Sequence, residues 1–470
     1  MRKSKIKEYL ENPAPLKVLE NTFREIKKIQ EKYEPFITIT EEHAFEHLEK
    51  KIRENPEFIG LPFSAKDCLC TKGILTTAGS KILNKYIPTF DATAIERLKE
   101  VGILIGKTAM DEFGFGSFCV NCHYCKPKNP WDRHRVCGGS SGGAACITSL
   151  LKQPHIALAE STGGSISCPA SFCGVFGLTP TYGLVSRWGL IDYANSLDKI
   201  GLMAKDIFGI AWGLNVIAGY DGKDSTCIKR EKEDYTKYIE MDVSKMRIGV
   251  IKNYFEGIDE HVEKAVWIGI KKIEGYCKEV EEIELPLSEY ALPSYYIIAL
   301  AEASTNLAKF CGMRYGYEEE INENSGNFNE YFSKIRAEGF GKEAKRRIIL
   351  GTFYRKVGYR ERYYIKALKI RALLVKEFKK AFKRFDVLAS PTMPIVAPRY
   401  TEIAELTPMQ CYAMDRLTVA PNLAGIPMLN VPCEKVGNLP VGLHMLADHF
   451  KEKNLIAFGK FFESPEPEEV

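Results

Sequence analysis

The chain has 470 residues, 45% of them hydrophobic and 27% charged, with a net charge of +4. This balance is that of an ordinary globular protein with a sizeable core, and it excludes a low-complexity or highly charged disordered chain. Basic and acidic residues are interspersed, so charge does not point to nucleic acid. No apolar run reaches the roughly 18 residues of a membrane span.

Residues 1–58 read as a charged, mainly helical segment packed on a core, with Leu16, Leu19, Phe23, Ile26 and Ile29 at helical spacing. Residues 36–40 form a short β-branched run, and Thr40 can cap the helix after it. His43 and His47 share a helix face without a third ligand, and read as solvated. The opening MRKSKIKEYL lacks the apolar stretch of a secretory leader. The 14 cysteines are therefore expected as free thiols in a reducing cytoplasm.

From 59 to 446 apolar strands alternate with helices, the pattern of a sheet covered on both sides. A short apolar run ends on Lys66. Lys66-Asp67 reads either as a surface turn or as a buried lysine whose neutral amine serves as a base. Ala94, Ile95, Leu98 and Val101 mark a helix and 103–105 a strand. Cys119, Cys122, Cys125 and Cys137 follow, at a spacing that suits a metal or arises by chance in a cysteine-rich chain.

Two Gly/Ser loops come next, GGSSGG at 138–143 and TGGS at 162–165, with an apolar strand at 156–159 between them. A serine beside free backbone N–H groups is what acyl transfer requires. The first loop also satisfies G-x-S-x-G, but Asp132-Arg133-His134-Arg135 before it is a poor strand, and a nucleophile elbow needs one. A lysine can instead act through one hydroxyl upon a second, with no histidine.

Further strands fall at 247–251, 387–391, 428–432 and 441–446, and Asp259 caps a helix with Val262, Val266, Ile270 and Ile273 on one face. Residues 290–385 are mainly helical and basic, and Lys345-Arg346-Arg347 and Lys379-Lys380 read as solvated faces. His444 and His449 read as non-ligands, and 447–470 as a last helix with a frayed acidic tail. Phosphate-loop and dinucleotide glycine patterns are absent at strand–helix turns.

A set of longer segments carries a resemblance to a known family: GLPFSAKD at 60–67, CTKGILTTAGSKIL at 70–83, IGKTAMDEFGFGS at 105–117, KNPWD at 128–132, GGSSGG at 138–143, TGGSIS at 162–167, FCGVFGLTPTYGLVSRWGL at 172–190, SLDKIG at 196–201, RRIILGT at 346–352 and NLAGIPMLNVPC at 422–433. The chain resembles the amidase signature family, and within it the A subunits of tRNA-dependent amidotransferases, from about residue 36 to 446. The resemblance implies an α/β fold, an amidase-signature α/β/α sandwich with a central mixed β-sheet covered by helices. It implies Lys66 as base, Ser140 as a bridging serine on a cis peptide bond, and Ser165 as nucleophile. The backbone N–H groups of Thr162, Gly163, Gly164 and Ser165 would form the oxyanion hole. Arg347 and Asp415 would hold the α-carboxylate and α-amine of glutamine, with Tyr295 lining that pocket.

The activity so implied is glutamine hydrolysis through a Ser-Ser-Lys acyl-enzyme. Ammonia would pass to a B subunit that uses ATP and Mg2+ on misacylated Glu-tRNA(Gln) or Asp-tRNA(Asn), with a small C subunit completing a cytoplasmic heterotrimer. No cofactor or metal is implied on this chain. A stand-alone amidase acting on a hydrophobic amide is the alternative, and it would not need Arg347 and Asp415. A scaffold subunit without activity is another. The chain departs from the family pattern at Ala159 (Gly), Ser161 (Asp), Ser167 (Arg) and Cys137 (Pro), and it has about one extra residue within 152–155. These changes leave the three reacting side chains in place and bear on the rigidity of their loop.

Overall fold

Eleven strands form one mixed sheet in the computed structural model, which describes residues 4–320 and 326–467. In chain order they are β1 (Phe36–Ile39), β2 (Leu61–Lys66), β3 (Gly102–Thr108), β4 (Ile156–Ser161), β5 (Phe176–Thr179), β6 (Lys199–Ala204), β7 (Arg247–Ile251), β8 (Glu279–Ile283), β9 (Val387–Pro391), β10 (Met428–Val436) and β11 (Leu439–Leu446). Their spatial order is β1-β3-β2-β4-β6-β5-β10-β11-β9-β7-β8. Strand β2 runs parallel to β3 and β4, and β7 runs parallel to β8 and β9. The four central strands β6, β5, β10 and β11 pair antiparallel, as do the β4–β6 and β11–β9 contacts that join the two parallel groups. The expected central mixed sheet covered by helices is present.

Period-two alternation places apolar residues on both faces. Ile103, Ile105, Ala157 and Ala159 meet Leu19, Phe23, Ile26 and Ile29 of helix Pro15–Tyr33, while Leu104, Ile156 and Leu158 pack into the larger core on the other side. Leu16 is the exception to the expected stripe: it is 53% exposed, at the first turn of that helix. Thr40 does precede helix Glu41–Glu54, but its hydroxyl donates to the Leu104 carbonyl at 2.9 Å instead of capping. Asp259 caps helix Glu260–Glu274 through the amides of His261 and Val262.

The connectivity positions one edge of the sheet for chemistry. Parallel strands β2 and β4 end side by side, at Lys66 and at Glu160-Ser161. Antiparallel β6 starts opposite, with Lys199 paired to Ser161, so Asp198 stands at the same edge. Sites at the carboxyl ends of parallel strands are the rule in open α/β sheets. Within 290–385 the described helices are Ala291–Asn306, Phe328–Gly339, Lys342–Arg355 and Lys366–Ala381, and the first and third bring aromatic and charged side chains to that edge.

Candidate active site

Lys66 and Asp67 are both fully buried, which removes the surface-turn reading. Lys66 Nζ donates to Ser140 Oγ at 2.6 Å, to the Glu160 carbonyl at 3.0 Å and to Glu160 Oε2 at 2.8 Å. A buried cation needs such pairing, because its desolvation is otherwise very costly. Asp67 forms a separate buried pair with Lys107 at 3.4 Å and accepts from Thr77 N and Thr77 Oγ1.

Ser140 follows a cis Gly139–Ser140 peptide bond and precedes helix Gly142–Leu150. Its loop is tied to the second loop by Ser141, whose N–H donates to the Ser165 carbonyl at 3.3 Å and whose hydroxyl donates to the Glu160 carbonyl at 3.1 Å. Lys66 and Ser140 are sealed from solvent, whereas Ser165 is 8% exposed. Among the described residues the N–H groups of Gly163, Gly164 and Ser165 make no intramolecular hydrogen bond. They are available to an oxyanion.

Glycine is required in this loop by close approach. A Cβ on Gly163 would sit 2.9 Å from Tyr295 Oη, and one on Gly164 would collide with Thr418 Oγ1. Ser161, which stands where an aspartate was expected, donates its hydroxyl to the Gly163 carbonyl at 2.9 Å, so the loop keeps a side-chain tie. Ser167 is likewise engaged, with its Oγ 3.1 Å from His444 Nε2.

Gly114, at φ +79°, joins two regions. A Cβ there would lie 3.5 Å from Ser140 Oγ, 3.6 Å from Glu160 Oε2 and 3.6 Å from the Tyr193 ring. Beyond Tyr193 is Arg347, only 3% exposed, which corrects the solvated-face reading for that residue, while Lys345 stays exposed and Arg346 half-buried. Arg347 donates to Tyr193 Oη at 2.6 Å and to Glu343 Oε1 at 2.8 Å. Its guanidinium lies 5.0–5.6 Å from the rings of Phe115, Tyr193, Tyr296 and Tyr412, within cation–π range. Asp415 accepts from Ser117 Oγ at 2.7 Å and from Tyr296 Oη at 2.6 Å. Burial pushes the Asp415 carboxyl above its ordinary value, opposed by these two hydrogen bonds and by Arg347. Tyr295 connects the regions, since its hydroxyl lies against Gly163 and its ring packs edge-on to Tyr296, 5.0 Å between centroids.

The structure therefore gathers Lys66, Ser140, Ser165, Thr162, Gly163, Gly164 and Tyr295 at one sheet edge, with Arg347 and Asp415 adjoining across Tyr193 and Tyr296. Sequence reasoning did not find Glu160, Asp198, Ser117, Tyr193, Tyr296, Tyr412 or Glu343. Only Glu343 had a local signal, four residues before Arg347 on one helix face. The others reach the site from separate segments.

Among the described residues no group of three or more His, Cys, Asp or Glu is placed to hold an ion, and the 14 cysteines are free thiols. Cys119 Sγ faces the Ser140 carbonyl at 3.8 Å and Cys137 Sγ donates to the Pro127 carbonyl at 3.2 Å. Two cavities of about 700 and 890 Å³ lie elsewhere, and none of their lining residues is Lys66, Ser140, Ser165, Arg347 or Asp415.

Lys66, Ser140 and Ser165 thus come to one edge of a mixed sheet, with Lys66 hydrogen-bonded to Ser140. The amidase family model matches residues 17–456, and the chain belongs to that family. It is 44% identical over 449 residues to the glutamyl-tRNA(Gln) amidotransferase A subunit of Halothermothrix orenii, covering 95% of this chain and 92% of the relative. It is 48% identical over 406 residues to the corresponding A subunit of Methanococcoides burtonii, covering 86% and 84%. Among solved structures, the glutamyl-tRNA(Gln) amidotransferase A subunit of Thermotoga maritima aligns with a TM-score of 0.80 at 32% identity, over 98% of this chain and 97% of that one.

Proposed function

We propose that this chain is the glutamine-hydrolysing subunit of a tRNA-dependent amidotransferase. Ser165 attacks the side-chain amide of glutamine, and its proton passes through Ser140 to Lys66. The N–H groups of Thr162, Gly163, Gly164 and Ser165 receive the oxyanion. Lys66 then returns the proton through Ser140 to the leaving nitrogen, releasing ammonia, and water resolves the γ-glutamyl ester by the same route in reverse.

The observation that carries the reading is the buried pair of opposite charges beside the relay. Arg347 and Asp415 face the same ring, Tyr296, which hydrogen-bonds Asp415 and lies 5.5 Å from the guanidinium. An amino acid presents a carboxylate and an ammonium group that match such a pair, and a hydrophobic amide presents neither. Ammonia goes to a B subunit carrying ATP and Mg2+, which acts on Glu-tRNA(Gln) or Asp-tRNA(Asn), and a C subunit completes a heterotrimer. Contact with tRNA is made mainly by the B subunit, and the complex works in the cytoplasm. Residues 59–446 are the catalytic unit, with the N-terminal helical segment packed upon it and helix Glu452–Gly459 following it.

The test is ammonia release from glutamine by the purified chain, alone and co-expressed with B and C subunits, against Ser165→Ala. Release that depends on Ser165 and rises with partners and misacylated tRNA is the expected result. Turnover of simple amides but not of glutamine would replace this reading with a stand-alone amidase. No turnover in the assembled complex would replace it with a scaffold.

A further inference from the structure

Behind Lys66 runs a buried chain of oxygen atoms that the three-residue relay does not use. Glu160 Oε2 accepts from Lys66 Nζ at 2.8 Å. Thr162 Oγ1 lies 2.8 Å from Glu160 Oε1 and also 2.8 Å from Asp198 Oδ1. A hydroxyl carries one hydrogen and can donate to only one of them. The second contact, between two oxygens at hydrogen-bond distance, needs a proton of its own, and a carboxyl group must supply it.

We propose that the Glu160–Asp198 pair holds one carboxyl proton, resting on Asp198, so that the buried cluster of Lys66, Glu160 and Asp198 is electrically neutral and Glu160 can take a proton from Lys66. This deepens the glutaminase reading and rests on it only for its kinetic consequences. Asp198 is fully buried, and its other contacts are the backbone amides of Tyr193 and Ala194. Among the described residues no cation is paired with it, and Lys199, the next residue, donates instead to the Ile426 carbonyl at 3.0 Å. The charged groups facing it are Glu160 and Asp192, and burial together with Glu160 holds its carboxyl well above the usual range.

The proton balance closes without solvent. In the resting cluster Lys66 is an ammonium, Glu160 a carboxylate and Asp198 an acid. Transfer of one proton from Nζ to Glu160 Oε2 gives an amine and two acids, still neutral overall. The lone pair freed on Nζ lies toward Glu160, and rotation of the amine about its Cε–Nζ bond turns it to Ser140 Oγ. It then takes the Ser140 proton, while Ser140 takes the proton of Ser165 and the Ser165 Oγ electron pair bonds the amide carbon. A second ionised carboxyl would instead leave the sealed cluster with a net charge, which burial disfavours. Glu160 and Asp198 act through Lys66 and are positioning residues.

The test is infrared difference spectroscopy on the full chain at neutral pH, comparing wild type with Asp198→Asn and with Thr162→Val. The carbonyl-stretch band of a buried carboxylic acid should disappear in Asp198→Asn and shift in Thr162→Val, which keeps the side-chain shape and removes the bridging hydroxyl. If Asp198→Asn does not fold, the Thr162→Val spectrum alone decides. Glu160→Gln should lower kcat for glutamine about 100-fold with KM unchanged, and Glu160→Asp should recover part of the loss. Absence of an acid band in the difference spectra, or full kcat in Glu160→Gln, would overturn the proposal. The infrared result does not need turnover. An acid band without glutamine hydrolysis would leave the proton count standing and remove the glutaminase reading, and Lys66-dependent hydrolysis without the band would do the reverse.

Discussion

At the scale of single residues, the central question is whether Lys66 works as a base or only as a buried cation for Glu160. Two substitutions separate these. Lys66→Ala should lower glutamine hydrolysis about 10³-fold and also lower Tm, because it leaves the Glu160 carboxylate buried without its partner. Lys66→Arg keeps a positive charge there but cannot give up a proton at working pH. It should recover Tm more than rate, and equal recovery of both would assign Lys66 a purely structural role. For Arg347, methionine is the informative replacement, since it still fills the space among Phe115, Tyr193, Tyr296 and Tyr412. Loss of a hydrogen-bonded charge pair costs about 1.5–3 kcal/mol. The KM for glutamine should therefore rise about 10- to 100-fold, with small neutral amides little affected, and equal losses on both substrates would take Arg347 out of the glutamine pocket. Lys66, Ser140 and Ser165 stood out in the sequence because each lies in a run of small or apolar residues that constrains it. Glu160 and Tyr193 did not, since a lone acid or tyrosine acquires meaning only from what the fold sets beside it, and Asp415 was reached only through the family resemblance.

At the scale of elements, helix Lys342–Arg355 is the part that the proposed glutamine reading depends on. It carries Glu343 and Arg347 on one face, and its start is fixed from outside. The Gly341 N–H donates to both Glu112 carboxylate oxygens at 3.0 Å, and Ser80 Oγ donates to Glu112 Oε1. A buried acid at a helix N-terminus is favourably placed against the helix dipole. Glu112→Ala should cost about 1–3 kcal/mol by leaving those donors unpartnered. It should also raise KM for glutamine without an equal loss on neutral amides, because the helix that presents Arg347 loses its anchor. Urea unfolding and steady-state kinetics on one preparation check both parts, and an unchanged KM would show that the helix is positioned by its packing alone. Buried strands such as 247–251 and 387–391 were readable because continuous apolar runs bounded by polar residues leave few alternatives. Strand Glu279–Ile283 was not: EVEEI is mostly acidic, as suits an exposed sheet edge that charge protects from further pairing. Strand Lys199–Ala204 was legible only as part of a motif, since Asp198-Lys199 at its head reads as surface until the fold buries both.

At the scale of the whole molecule, the alternation of strands and helices carried the fold class. The strand order was not readable, because pairs such as Leu178–Leu429 join segments about half the chain apart. Closing the sheet this way buries two histidines without charge compensation, and each makes the fold less stable as pH falls. His155 Nε2 meets Ser64 Oγ at 3.0 Å beside β2 and β4, and His444 Nε2 meets Ser167 Oγ at 3.1 Å on β11. Among the described residues the Nδ1 atom of each lacks a partner. Burial, then the charge of Lys205 or Lys199, lowers both to about 3. In the unfolded chain they titrate near about 6.5. Between those values the unfolded chain binds about two more protons than the native one, so stability falls as pH falls. The slope is about 2.7 kcal/mol per pH unit from the pair, fully developed below about pH 6. Asp111 acts in the opposite sense: burial raises its carboxyl to about 6, so the native state binds the extra proton between about pH 4 and 6, offsetting roughly 1.4 kcal/mol per unit. The net expectation is a loss of about 1.3 kcal/mol per unit from these three groups on going from about pH 6 to 5. His444→Gln should bring their combined slope close to flat, by removing about 1.4 kcal/mol per unit, while Asp111→Asn should steepen it by the same amount. Urea midpoints at half-unit steps from about pH 5 to 7 measure this directly. A slope that neither substitution moves would mean that these groups titrate in the native protein as they do in the unfolded chain.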